Sequence, residues 1–507
     1  QRLHQFSIFP ILVSTFATIR ASRLIFNDFS KIDAMIHFRL LALLALCTLS
    51  QLLTYFPSVR AAHDIASACP GLPSPFDFSY PDRLCGNLKE FAVRLNDHMR
   101  ALSRAAGPIT ASTAAAAATG APGSTAAPAS LASPSTAAPS GSPPVTSSSS
   151  PASDATLANS FLDPLPSTPR FLAYDSGIGG YGDTITGLVT TFITALLDGR
   201  ALVVKHPWLL HAFEPATFDW RPTPDVKIDP VQFINNETEP VESGRVPRIA
   251  LTAMKVDPEA LFGRMEKYPV VRVAWNVGHL TYFYKNNGTW GSRFRSLGLR
   301  PPYSFGCILR LLLRPKPEVW QMMRETARAL HSERGLSVGV HIRVDDRIVW
   351  GGLHGYGAPI TLNETQIGQL MEQARPALEC AQGVEDWWHP SPMKTKWLVL
   401  TNSHQLKEAI QKKYPDKVVV TNFVPRHVSK NEDPNSKSNE ASEVMVQETV
   451  AEWLLFASCD RFVFPDSGYS RTAAMYSMRP ASMHLTRICN PEHPVEVSTL
   501  AEKGSSI

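Results

Sequence analysis

Between Leu336 and Trp350 the chain alternates and then abruptly stops. Val338, Val340 and Ile342 are separated by small or polar residues, and the run ends in His341, Arg343, Asp345, Asp346 and Arg347. A period of two predicts a strand with one face in a core. The same reading predicts strands at Ser337–Arg343, Trp397–Thr401, Lys417–Val420, Arg461–Phe464 and Ala481–Leu485. Apolar positions spaced by three and four predict helices at Gln366–Ala381, Gln405–Lys413, Glu443–Ser458 and Tyr469–Ser477. Upstream, Phe171–Tyr174 reads as a strand, Asp175–Asp183 as a Gly-rich turn, Thr184–Leu197 as a helix closed by Gly199, and Ala201–Lys205 as a strand. Further helices are expected at Pro258–Met265 and at Lys316–Glu333, with Gly335 as its C-cap. Strands alternating with helices mean mainly parallel sheets covered on both faces. A division near residue 335 gives an α/β architecture of two Rossmann-like halves facing one another across a cleft.

The pattern is lost over 104–167, which is almost entirely Ala, Ser, Thr, Pro and Gly. Such a stretch has too little large apolar surface to offset its ordering entropy. It reads as a disordered stem, a candidate for O-glycosylation where Ser and Thr adjoin Pro, with a wall-anchoring glycoprotein rod as the alternative. Before it, Met35 opens a segment with Arg39, an apolar run from Leu40 to about Phe56, and small residues at Ala61 and Ala62. This is the form of a signal peptide or a signal-anchor. No methionine precedes Met35, so residues 1–34 are expected to be a gene-model extension.

Composition narrows the function classes. Across 507 residues the formal net charge is only +4, with no basic block, which argues against a nucleic-acid partner. Outside the apolar run, the cysteines are Cys69, Cys85, Cys307, Cys380, Cys459 and Cys489. An even number suits an oxidising compartment, and the Pro-rich loop between Cys69 and Cys85 makes that pair the first expectation. No C-x-x-C occurs, which argues against structural zinc. Sequons stand at Asn236, Asn287 and Asn363.

Three constellations carry candidate chemistry. In "DSGIGGYGD", Gly177, Gly179, Gly180 and Gly182 allow close backbone approach, and the following helix points free N–H groups at the same place. A diphosphate suits such a site, although no Walker Gly-Lys-Ser/Thr follows. In "HIRVDDR", Arg343 offers a planar fork to phosphate at the carboxyl end of a strand, where open α/β sheets bind ligands. Asp346 could orient that arginine or hold a hydroxyl, and His341 could be a base or a structural ring. In "CDRFVFPDSGYSRTAAMYSM", Ser467 and Ser470 sit at a strand-to-helix turn, as helix caps or as part of a second anion pocket. Arg471 in the first turn opposes the helix dipole, which suggests another task for it.

These three stretches, in this order, resemble the fucosyltransferases that use GDP-fucose, and especially the plant xyloglucan (cell-wall) family. The likeness runs from about Phe171 to Asn490, through "AYDSGIGGYGDTITGLVTTFITALLDGRALVV", "VGVHIRVDD" and "EWLLFASCDRFVFPDSGYSRTAAMYS". The resemblance implies a GT-B-like fold and inverting transfer of fucose to a glycan acceptor, with no cofactor and no metal. Consistently, the chain has no D-x-D motif to hold a cation on the diphosphate. It implies a donor site of Gly177, Gly179, Gly180, Tyr181, Gly182, Asp183, His341, Arg343, Asp466, Ser467, Ser470 and Arg471, with Arg343, Asp346 and His341 as catalytic candidates. Two departures are present: Val344 stands where α1,6-type enzymes have a second arginine, and His341 stands where plant wall enzymes commonly have glutamine.

The expected organisation is 1–34 extension, 35–62 signal, 63–103 Cys-containing segment, 104–167 stem, 168–335 N-terminal half, 336–495 donor-binding half and 496–507 tail. The expected setting is the Golgi membrane, single-pass with a lumenal catalytic domain, or secretion if the signal is cleaved. Another nucleotide sugar, or a non-catalytic glycan-binding surface glycoprotein, are the competing readings.

Overall fold

The computed structural model describes residues 85–106 and 166–495, except 176–179, 225, 230, 234–244, 252–262, 264, 276–277, 279, 287, 300, 333–334, 351–359, 389–393, 425–438 and 480–481. The first seven strands are β1 (Phe171–Tyr174), β2 (Ala201–Val204), β3 (Phe213–Pro215), β4 (Val231–Phe233), β5 (Val246–Leu251), β6 (Val270–Trp275) and β7 (Leu313–Pro315). The remaining five are β8 (Ser337–Ile342), β9 (Lys396–Thr401), β10 (Val418–Val419), β11 (Arg461–Phe464) and β12 (Met483–Leu485). Helices α1 (Leu88–Ala106), α2 (Tyr181–Leu197), α3 (Pro207–Ala212), α4 (Leu280–Lys285), α5 (Thr289–Ser296) and α6 (Pro301–Leu312) accompany the first group. They are followed by α7 (Pro317–His331), α8 (Asp346–Trp350), α9 (Glu364–Trp388), α10 (His404–Lys413), α11 (Asn439–Ala457) and α12 (Gly468–Tyr476).

Two five-stranded parallel sheets result, ordered β2-β1-β6-β5-β4 and β10-β9-β8-β11-β12, while β3 and β7 pair as an antiparallel ribbon. In the C-terminal sheet the chain runs outward from β8 through β9 to β10, then returns to lay β11 on the other side of β8. The gap between the carboxyl ends of β8 and β11 is therefore a topological switch point, the place where open α/β sheets take ligands.

The alternation in β8 has a direct physical reading. Val338, Val340 and Ile342 enter a core with Leu370, Ala374 and Leu378 of α9. On the other face, a Cβ at Gly339 would come within 2.9 Å of the Phe456 ring, so the glycine lets α11 lie close to the sheet. α11 also reaches the N-terminal part, where Gln447 Nε2 donates to the His211 carbonyl at 3.2 Å.

Two expectations are corrected. Cys85 pairs with Cys307, not with Cys69, and a second bridge joins Cys380 to Cys489; Cys459 is buried and free. The bridged residues are 222 and 109 positions apart, separations at which loop length gives no hint of partner. Cys69 lies outside the described residues.

The boundary between the Cys-containing segment and the stem also moves. α1 runs through to Ala106, and its Leu88, Ala92, Leu95 and Met99 are buried in the same core as β1 and α2. The chain re-enters at once beside this helix: His98 Nε2 lies 3.0 Å from the Pro166 carbonyl, and the Arg170 amide donates to Met99 Sδ at 3.3 Å. The Ala/Ser/Thr/Pro-rich stretch thus leaves and rejoins one folded unit instead of preceding it. Its own residues, like those of the signal segment, lie outside the description. Within the described residues no helix is long and apolar enough to cross a membrane.

Candidate functional site

Arg343 emerges one residue past β8 with its side chain 46% exposed. Its Nη2 donates to Asp346 Oδ2 at 2.7 Å, and the other oxygen, Oδ1, accepts from Asn402 Nδ2 at 2.8 Å. Asn402 follows β9 and closes on the backbone as well, accepting from Val344 N at 3.1 Å and donating to Val344 O at 3.0 Å. Both Asp346 oxygens are thereby committed to orientation, and the rest of the guanidinium faces outward. The exposed Arg347 pairs locally with the half-buried Asp345, at 2.6 Å.

Across the switch point, β11 runs into Asp466 and the N-cap Ser467 of α12. Ser467 makes no side-chain bond to the helix it caps, so its hydroxyl remains available to a ligand. Ser470 is fully buried and lies 2.9 Å from His341 Nδ1, which ties the end of β8 to the first turn of α12. Arg471 and Arg487 both face Asp466, at 3.7 and 3.6 Å. Sequence reasoning missed Asn402 and Arg487, although each follows the carboxyl end of a strand, the feature that singled out Arg343.

The N-terminal sheet delivers α2 to the same place. Gly180 N donates to Asp183 Oδ2 at 3.0 Å, so this carboxylate satisfies its own helix start. Burial raises the Asp183 pKa above the usual carboxylate value, against the pull of the Gly180 N–H and of Arg471. Tyr181 is 4% exposed and packs edge-on against Trp453 and Tyr469, with ring centroids 5.9 and 6.0 Å away. It therefore serves as packing between α2 and the C-terminal sheet's helices. Gly177 and Gly179 lie outside the described residues.

Gly182 is where α2 and α12 meet backbone to backbone. A Cβ there would fall 2.3 Å from Gly468 C and 2.4 Å from Tyr469 N, whereas a Cβ on Gly180 meets nothing within 4 Å. Overpacking against backbone has no rotamer escape, so Gly182→Ala is expected to cost about 3 kcal/mol, the upper end of the usual range. Gly180→Ala is the control, expected to stay within about 0.5 kcal/mol. Urea unfolding of both variants checks this, and equal midpoints would refute the contact.

His341 is buried, and burial together with the nearby Arg343 charge lowers its pKa to about 3. His206, at the carboxyl end of β2, is lowered by burial to about 4. Both rings are neutral at physiological pH, and a group with so low a pKa is a weak proton acceptor. In the unfolded chain histidine titrates near 6.5, so the unfolded state takes up protons first as pH falls. This contribution to stability is complete above about pH 6.5 and is lost as pH falls towards 3–4. Each ring steepens acid unfolding by up to about 1.4 kcal/mol per pH unit. His341→Asn is expected to flatten the dependence of urea midpoints between pH 6.5 and 4; an unaltered slope would count against a buried neutral ring.

Among the described residues no group of three or more His, Cys, Asp or Glu is arranged to hold a metal ion. The site combines an exposed guanidinium with a serine hydroxyl at the start of α12, donors suited to an anion with several oxygens.

No protein-family model matches the chain. No curated protein matches it either. Among solved structures, it is similar to a mutant of Arabidopsis thaliana FUT1 in complex with GDP, at 14% identity and TM-score 0.43, covering 64% of this chain and 73% of that one. It is similar also to the fucosyltransferase NodZ from Bradyrhizobium, at 16% identity and TM-score 0.33, covering 60% and 92%. A third likeness is to POFUT1 in complex with GDP, at 12% identity and TM-score 0.29, covering 61% and 94%.

Proposed function

We propose that this protein is an inverting glycosyltransferase that moves fucose from GDP-fucose to a glycan acceptor, with a GT-B-like arrangement of two halves across a cleft. The observation that carries the reading is Arg343, held by Asp346 just past the end of β8 at the switch point, with the Ser467–Arg471 turn following the neighbouring strand β11. The choice of GDP-fucose rests on the three sequence stretches that resemble fucosyltransferases.

In the reaction the bond from the sugar's anomeric carbon to a phosphate oxygen breaks, and a bond from the acceptor oxygen to that carbon forms on the opposite face. The acceptor's proton leaves to solvent or to a base, and GDP departs. Negative charge building on the diphosphate meets Arg343 and the Ser467 hydroxyl at the start of α12, so no metal is invoked. Fixed donors of this kind are worth about 3–4 kcal/mol each when aimed at developing charge. His341 holds Ser470 and α12 in register as a neutral ring, and Asp346 holds the arginine, so the two act by positioning. Asp183 caps α2, and Tyr181 packs beside it, so their contribution to the donor site is its shape.

Two disulfides favour an oxidising compartment. With the apolar segment after Met35, they support a Golgi lumenal enzyme anchored by its N-terminal region, or a secreted one after cleavage, acting on a cell-wall polysaccharide or glycoprotein glycan.

The test is a comparison of nucleotide sugars by thermal shift and by transfer on a mixed glycan acceptor set. GDP-fucose is expected to raise Tm and to be consumed. A larger shift with UDP-sugars would replace the donor, and no turnover of any nucleotide sugar would make this a binding protein.

A further inference from the structure

Two guanidiniums besides Arg343 end at the carboxyl edge of the C-terminal sheet. Arg471 stands in the first turn of α12, and Arg487 lies two residues beyond β12. Both are ion-paired to the single carboxylate of Asp466, at 3.7 and 3.6 Å, which is longer than a hydrogen bond. Among the described residues neither side chain has any other ion pair or hydrogen-bond acceptor. Arg471 is nonetheless largely withdrawn from water, with 18% of its side chain exposed. Each guanidinium carries five N–H donors, and leaving such donors desolvated and unmet is costly. Asp183 also lies within the reach of the Arg471 charge, so two carboxylates balance the two guanidiniums and what is unmet is hydrogen bonding. The unmet need is for an anion with several oxygens.

Resting on the reading above, we propose that Arg487 is a ligand-binding residue: with Arg471 it forms a second phosphate grip, and Asp466 is the resident counter-ion that a phosphate group displaces. Arg343 and Arg487 follow strands two places apart in the sheet, β8 and β12, with β11 and Asp466 between them. Strand ends at that separation are about 10 Å apart, and two arginine side chains reaching inward can close on one diphosphate. Arg343 then meets one end of the diphosphate, and Arg471 with Arg487 meets the other.

The experiment is calorimetric titration of the full chain, and of its Arg487→Gln and Arg487→Lys variants, with GDP, guanosine and inorganic pyrophosphate. Arg487→Gln is expected to weaken GDP and pyrophosphate by about 10- to 100-fold, the range for losing a charge-assisted contact. Guanosine binding and Tm should not move, since the Arg487 side chain is 58% exposed and among the described residues its ion pair is with Asp466. Arg487→Lys should recover part of the loss. Unchanged GDP affinity in Arg487→Gln overturns the second grip and leaves the fucosyl-transfer reading standing, and an equal loss for guanosine overturns it as a general distortion. A wild-type chain that binds pyrophosphate but not GDP, with the loss seen in Arg487→Gln, keeps the grip and ends the GDP-fucose reading. A chain that binds neither ends both.

Discussion

Replacing Arg343 by alanine is expected to lower fucosyl transfer on the order of 1,000-fold while leaving Tm unchanged. The two parts of this expectation have separate causes. The side chain is 46% exposed and its hydrogen bond is to Asp346, so little folding energy is at stake in an exposed pair. In the proposed reaction it is the cation at the end of β8, with its orientation set by the Asp346–Asn402 chain. Arg343→Lys should recover little, because an ammonium cannot reproduce a planar fork. Transfer rates with GDP-fucose and circular-dichroism melts on the same preparations decide it. A folded Arg343→Ala enzyme that still turns over within tenfold of wild type would remove the catalytic assignment.

A fragment that begins at Pro166 is expected not to fold, although the composition would suggest cutting there. Such a fragment loses α1, and with it the buried side chains of Leu88, Leu95 and Met99. At about 1.5–3 kcal/mol for each large apolar side chain, that removes about 5–9 kcal/mol. Losing the Cys85–Cys307 bridge removes about 2–4 kcal/mol more. Domains are typically stable by only about 5–15 kcal/mol, so this loss is decisive. A chain that retains 75–106 and replaces 110–160 by a short Gly-Ser linker should keep its Tm within about 2 °C, since loop length enters stability only logarithmically. Cooperative melting of the 166-start fragment at the full-length Tm would show that α1 is dispensable.

Much of the C-terminal sheet was legible because β8, β9 and β11 carry their hydrophobic pattern within a few residues. Where the pattern is interrupted, the reading failed. β6 places Arg272 in the middle of a buried strand, where it pairs with Asp175 and Asp229, and the charge disguised the strand. α1 was hidden by its polar face and by the low-complexity text that follows it. The disulfide pairing depends on contacts between distant segments, which no local spacing encodes. For the candidate site, strand-end position and residue type placed Arg343, Ser467 and Ser470 at the carboxyl edge of the C-terminal sheet, where the structure also has them. They were not enough to separate ligand-facing groups from packing groups, because Tyr181 and His341 owe their burial to helices from the other end of the chain.

The glycine-to-glycine contact between α2 and α12 also governs how the molecule can move. Two main chains touching without side chains have no rotamers with which to yield by degrees. Separating α2 from α12 would therefore mean breaking this main-chain contact outright, because no side chain there can follow the movement.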